Sequence, residues 1–80
     1  MIVIEKETKK NRDELLKAAE DYFGPEGQGL PITSKEDCCI SFEGAGGYVN
    51  VRIDESEAKN KVEVEAREFE FQAREFLAKL

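Results

Sequence analysis

The chain predicts an α+β fold: a two-layer sandwich whose mainly antiparallel sheet of 4–5 strands carries two helices on one face. Three observations lead there. Residues 38–53 (CCISFEGAGGYVNVRI) alternate in period two on both sides of a glycine-rich bend, the mark of strands with one buried and one wet face. Residues 11–23 and the segment from about Glu68 onward repeat their apolar residues at helical spacing instead. Finally, the order strand, helix, strands, helix suits helices gathered on one side of an antiparallel sheet.

Taken in order, Ile2, Val3 and Ile4 form a short apolar run before Glu5-Lys6-Glu7, which predicts a first strand. Asn11 then stands as an N-cap with Glu14 three residues on, a capping-box relative with Asn in place of Ser or Thr. Asp13 and Glu14 suit the positive end of the helix dipole. Leu15, Leu16, Ala19, Tyr22 and Phe23 make a broad stripe, and Gly24-Pro25 stops the helix. Residues 24–37 are punctuated by Gly and Pro, and within them Leu30-Pro31-Ile32-Thr33 predicts an edge strand, where proline is tolerated.

The hairpin follows. Cys38, Ile40 and Phe42 share one parity with a buried role, while Cys39, Ser41 and Glu43 take the other. Val49, Val51 and Ile53 face inward, and Tyr48, Asn50 and Arg52 outward. Gly44, Gly46 and Gly47 supply the positive φ that a tight antiparallel connection needs. A glycine run can also cradle phosphate, but that requires a helix N-terminus to follow, and here a strand follows. After the polar stretch from Asp54 to Asn60, residues 61–67 alternate again, with Val62, Val64 and Ala66 inward. The closing helix aligns Phe69, Ala73, Phe76, Leu77 and Leu80, and leaves Phe71 off the stripe. No repeat or linker interrupts residues 1–80, which read as one domain.

Charge narrows the function classes. The net charge is −6 with no block of basic residues, so a phosphate backbone is a poor partner. No apolar run approaches the roughly 20 residues that span a bilayer, and the first residues turn charged too soon for a secretory signal. The two cysteines are neighbours, about 3.8 Å apart at Cα across a trans peptide, inside the usual disulfide minimum of about 4.4 Å. On a strand their side chains also diverge. Cys38 and Cys39 are therefore expected as two reduced thiols, which suits a cytoplasmic location.

The β-α-β4-α order, together with Ser41-Phe42-Glu43-Gly44-Ala45-Gly46-Gly47-Tyr48-Val49, resembles a group of small uncharacterised archaeal proteins. That resemblance implies a sandwich similar to one repeat of the TATA-box-binding protein, and it brings no catalytic residues with it. The DNA-binding protein uses its sheet face with basic and wedge side chains. Here the equivalent face carries Glu43, Glu63 and Glu65, so the implied fold does not carry a DNA function with it.

No histidine is present, which removes the commonest general base and transition-metal ligand. Glu63 and Glu65, beside Lys61 and Arg67, are read as cross-strand ion pairs. Asp54, Glu55 and Glu57 lack the glycine and later glutamate of a calcium loop. No cofactor, metal or catalytic group is implied, and the chain is not read as an enzyme. What remains is a set of candidate contact residues. Cys39 is the more accessible thiol. Tyr48, Asn50 and Arg52 form an outward row of types enriched at interfaces. Phe71 belongs either to the strand-to-helix corner or to an apolar contact with another chain. The expected role is a non-catalytic interaction module binding a protein partner or a copy of itself. The alternative is a small-molecule or cofactor-binding domain using a helix–sheet groove or the open sheet face.

Overall fold

A computed structural model describes all residues 1–80. The elements are β1 (Ile2–Thr8), α1 (Arg12–Phe23), β2 (Ile32–Lys35), β3 (Cys39–Gly44), β4 (Gly47–Asp54), β5 (Asn60–Arg67) and α2 (Glu70–Ala78). The five strands form one antiparallel sheet in the order β1-β5-β4-β3-β2, and both helices pack on the same face of it.

Burial explains that layering. One parity of each inner strand is fully apolar: Ile40 and Phe42 on β3, Val49, Val51 and Ile53 on β4, Val62, Val64 and Ala66 on β5. The helices answer with Leu15, Ala19 and Phe23 from α1 and Ala73, Phe76 and Leu77 from α2. Each of the larger side chains contributes roughly 1.5–3 kcal/mol by leaving water, and the three alanines less. Phe23 lies at the centre, with ring centroids 5.7 Å from Phe42 and 5.2 Å from Phe76. Its ring ties α1 to both the sheet and α2. The accessible surface, 4895 Å², matches the roughly 4,900 Å² expected of a closed monomer of this mass.

The helix ends are fixed locally. Asn11 accepts from the Glu14 backbone N–H at 2.8 Å, and Glu14 accepts in return from the Asn11 N–H, a complete capping box. α2 has no side-chain cap. The nearby backbone N–H groups and the Met1 amino group, 3.1 Å from Glu70 Oε2, hold the Glu70 carboxylate below its usual range. At the other end Lys6, pointing to the helix side of β1, donates to the Leu77 carbonyl at 3.0 Å.

Several details depart from the pattern in the sequence. β1 runs through Glu5-Lys6-Glu7 to Thr8, because an edge strand with a wet outer face accepts charges. β2 is displaced to Ile32–Lys35: Leu30 is drawn into the core, and Pro31 accepts from the Glu43 N–H at 3.2 Å just before the strand. In the β3–β4 turn Gly44 and Gly47 pair as strand ends, so the loop is only Ala45-Gly46, with φ of 51° and 81°. Gly47 is required for space, since a Cβ there would strike the Arg67 carbonyl oxygen. Glu68, at φ 70°, makes the corner into α2. Phe69 lies half-buried against the core, and Phe71 in the first helical turn is left 68% exposed.

The cysteines require a correction. Cys38 and Cys39 are joined by a disulfide, and Cys38 is exposed instead of buried. β3 begins only at Cys39. Asp37-Cys38 is the two-residue turn of the β2–β3 hairpin, closed by Glu36 N–H to Cys39 carbonyl at 2.8 Å. The alternation rule that sends neighbouring side chains to opposite faces applies within a strand, and Cys38 lies outside one. With the thiols joined, cysteine usage no longer points to a reducing compartment.

Candidate interaction face

Because both helices lie on one side, the second face of the sheet is bare. Alternation places the odd residues of β1, β3 and β5 and the even residues of β4 there. Register then sets its rows. Glu43, Tyr48 and Arg67 lie side by side across β3, β4 and β5. Next come Ser41, Asn50, Glu65 and Val3, and after them Cys39, Arg52, Glu63 and Glu5. Of the five predicted contact residues, Cys39, Tyr48, Asn50 and Arg52 therefore share this face. Phe71 does not, since it belongs to the helix layer.

The local electrostatics differ from simple cross-strand pairing. Tyr48 donates to Glu65 Oε2 at 2.9 Å, with Met1 Sδ at the same distance from the hydroxyl. That bond to a carboxylate raises the Tyr48 pKa, which burial also favours and Arg67 opposes. Arg52 turns along its own strand to Asp54, Nη2 to Oδ1 2.9 Å. Lys61 reaches Glu5 at 3.5 Å. Glu63, expected in an ion pair, has none, although its register neighbours are Arg52 and Glu5. Exposed pairs are worth only about 0–1 kcal/mol, so a competing carboxylate on the same strand suffices to redirect Arg52. Asn50 is exposed, and its side-chain amide has no partner within the chain.

Sequence reading missed two residues of this face. Met1 and Val3 are 73% and 57% exposed and extend its apolar margin beside Tyr48. The parity of β1 would have placed Val3 there had the strand been extended through its charged half.

Shallow hollows occur elsewhere. One of about 380 Å³ lies between α1 and the β2 edge, lined by Asp13, Leu16, Lys17, Glu20, Asp21 and Lys35. Lys35 crosses its rim to Glu20 at 2.7 Å. Another, about 390 Å³, sits at the β3–β4 turn beside Tyr48 and Arg67. Small-molecule sites are lined mainly by hydrophobic and aromatic side chains, whereas Leu16 is the one hydrophobic residue lining the first hollow and charged side chains make up the rest. No group of His, Cys, Asp and Glu has metal-binding geometry, and no helix is long and apolar enough to cross a membrane.

Fold and surface together define a small α+β sandwich with one face covered by helices and the other left as a mixed-charge sheet. Compared with family models, curated proteins and solved structures, the chain has no significant match.

Proposed function

We propose that this chain is a non-catalytic interaction module, of the architecture built in one repeat of the TATA-box-binding protein, that meets a protein partner on its bare sheet face. The observation that carries this reading is the outward row Tyr48, Asn50 and Arg52 on β4, flanked by strands on both sides and on the sheet face away from both helices. An aromatic, an unpartnered amide and a guanidinium on a rigid strand are suited to contact, because little side-chain and backbone freedom is lost on binding. Glu5, Glu7, Glu43, Glu63, Glu65 and Asp54 outnumber Lys61, Arg52 and Arg67 on this side. The partner surface therefore carries an excess of cations, and nucleic acid is disfavoured. The closed monomeric surface means that the partner, a second copy included, adds to a finished domain instead of completing its core.

The test compares wild type with Asn50→Glu and with Phe71→Glu, on the opposite layer, by sedimentation over a wide concentration range and by quantitative capture from cell extract. Self-association or capture lost with Asn50→Glu and retained with Phe71→Glu supports the sheet face. Loss with Phe71→Glu alone moves the contact to α2. A strict monomer whose captured proteins are the same for all three chains sinks the reading. Small-molecule binding is the second reading, and it draws on the α1–β2 hollow; native mass spectrometry showing a stoichiometric adduct would favour it.

A further inference from the structure

We propose that the Cys38–Cys39 disulfide is a reversible thiol–disulfide exchange site, taking electrons from dithiols when oxidised and giving them to low-molecular-weight disulfides when reduced. It rests on atoms at the β2–β3 turn and is independent of any partner on the sheet face.

A structural role does not account for this bond. A disulfide stabilises chiefly by shortening the loops open to the unfolded chain, and a bridge between sequence neighbours closes almost no loop. The turn it occupies is already closed by backbone hydrogen bonds, Glu36 N–H to Cys39 carbonyl at 2.8 Å and Cys39 N–H to Glu36 carbonyl at 3.3 Å, and Ile53 N–H of β4 binds the Cys38 carbonyl at 2.8 Å. β2, the strand it adjoins, is exposed along its whole length, so the bond secures no core. Two sulfurs held side by side at an accessible turn do have a chemical use. Each is the resolving thiol of the other, and no rearrangement of the fold is needed to bring them together.

The surroundings distinguish the two sulfurs. Cys38 is exposed and open to attack, whereas Cys39 is half-buried at the start of β3. Arg52 is the register neighbour of Cys39 on the same sheet face, but its guanidinium is held by Asp54 at 2.9 Å, so the two sulfurs are distinguished by exposure. Reduction then proceeds in two displacements. A thiolate of the reducing dithiol attacks Cys38 Sγ, the Cys38–Cys39 bond breaks, and Cys39 Sγ leaves as the thiolate. The reductant's second sulfur, as thiolate, attacks its own sulfur in the mixed disulfide and releases Cys38 Sγ. The reductant ends as its disulfide, its two protons pass through water to the cysteines, and two electrons have moved. In reverse, oxidised glutathione accepts attack by one cysteine thiolate, and the other cysteine displaces the second glutathione. One glutathione disulfide thus gives two reduced glutathiones and the closed Cys38–Cys39 bond.

The experiment incubates the folded protein with oxidised glutathione, then with dithiothreitol, and counts alkylatable thiols by intact mass after each step. We expect no label and no retained glutathione after the first step and two labels after the second, with the cycle repeatable while circular dichroism stays native. The Cys39→Ser variant, lacking the resolving thiol, is expected to hold one glutathione on Cys38. Two labels or stable glutathione adducts on wild type after oxidation would overturn the proposal, as would a bond that resists dithiothreitol in the folded protein or links two chains.

Discussion

Truncating Phe23 and truncating Phe71 remove the same atoms from the sequence, yet the structure predicts opposite consequences. Phe23 is 0% exposed and touches three other rings, with centroids 4.9 Å from Tyr22, 5.7 Å from Phe42 and 5.2 Å from Phe76. Phe→Ala at such a site loses the transfer energy of the ring and leaves a void between α1, α2 and β3, together about 3–5 kcal/mol. Domains of this length have a total stability of about 4–12 kcal/mol, so Phe23→Ala brings the fold close to its limit. Phe71, 68% exposed, contributes little burial, and its truncation should stay within about 0.5 kcal/mol. Urea unfolding followed by circular dichroism measures both. With a slope near 1 kcal/mol per molar for a chain this small, the Phe23→Ala midpoint falls by about 3 M or the variant is unfolded in buffer, while Phe71→Ala overlays wild type. A Phe23→Ala cost below about 1.5 kcal/mol at unchanged slope would refute the packing described, because no known relaxation recovers most of a buried ring.

Three further outcomes follow from single residues. Ala45 holds a left-handed φ of 51° beside Gly46, a strain that Asn tolerates better, so Ala45→Asn should raise stability by about 0.5–1 kcal/mol in the same urea assay. Gly47→Ala should cost about 1–3 kcal/mol despite the permissive name of the turn, since its methyl meets the Arg67 carbonyl and lies 2.6 Å from Glu68 Cβ; an unchanged midpoint would contradict that geometry. Tyr22 donates to Glu75 Oε1 at 2.9 Å, and desolvation followed by this bond raises its pKa. A raised tyrosine pKa stabilises the fold below the unfolded value near 10, and that contribution disappears as pH climbs through the folded value. Glu75→Gln in a Tyr48→Phe background should therefore shift the tyrosinate absorbance titration of Tyr22 back toward its ordinary midpoint, and no shift would show the bond to be absent in solution.

Much of the architecture was legible because it rests on local rules. Asn11 and Glu14 are a capping box wherever a helix follows them, and the alternation of Val49, Val51 and Ile53 can bury only one face of a strand. Other features depended on neighbours distant in sequence. Gly47 looked like a residue of conformational freedom, but the reason for glycine is the approach of Arg67 from the adjacent strand. Arg52 had a register partner in Glu63, yet Asp54 on the same strand holds it. The cysteines were misread for a related reason. Whether Cys38 belongs to a strand or to the turn before it is decided by where β2 pairs, and β2 is a short edge strand with a register shift that no pattern marks.

By itself, then, the order of polar and apolar residues determined the helices, the inner strands and the core residues those elements contribute, because periodicity and capping act over a few residues; Leu30 entered the core from a loop. Tertiary structure alone decided which residues of the bare face lie side by side, which carboxylate each cation holds and that the paired sulfurs meet at a turn. Those outcomes depend on register and on small differences between exposed contacts, each near the thermal energy, which no local pattern encodes.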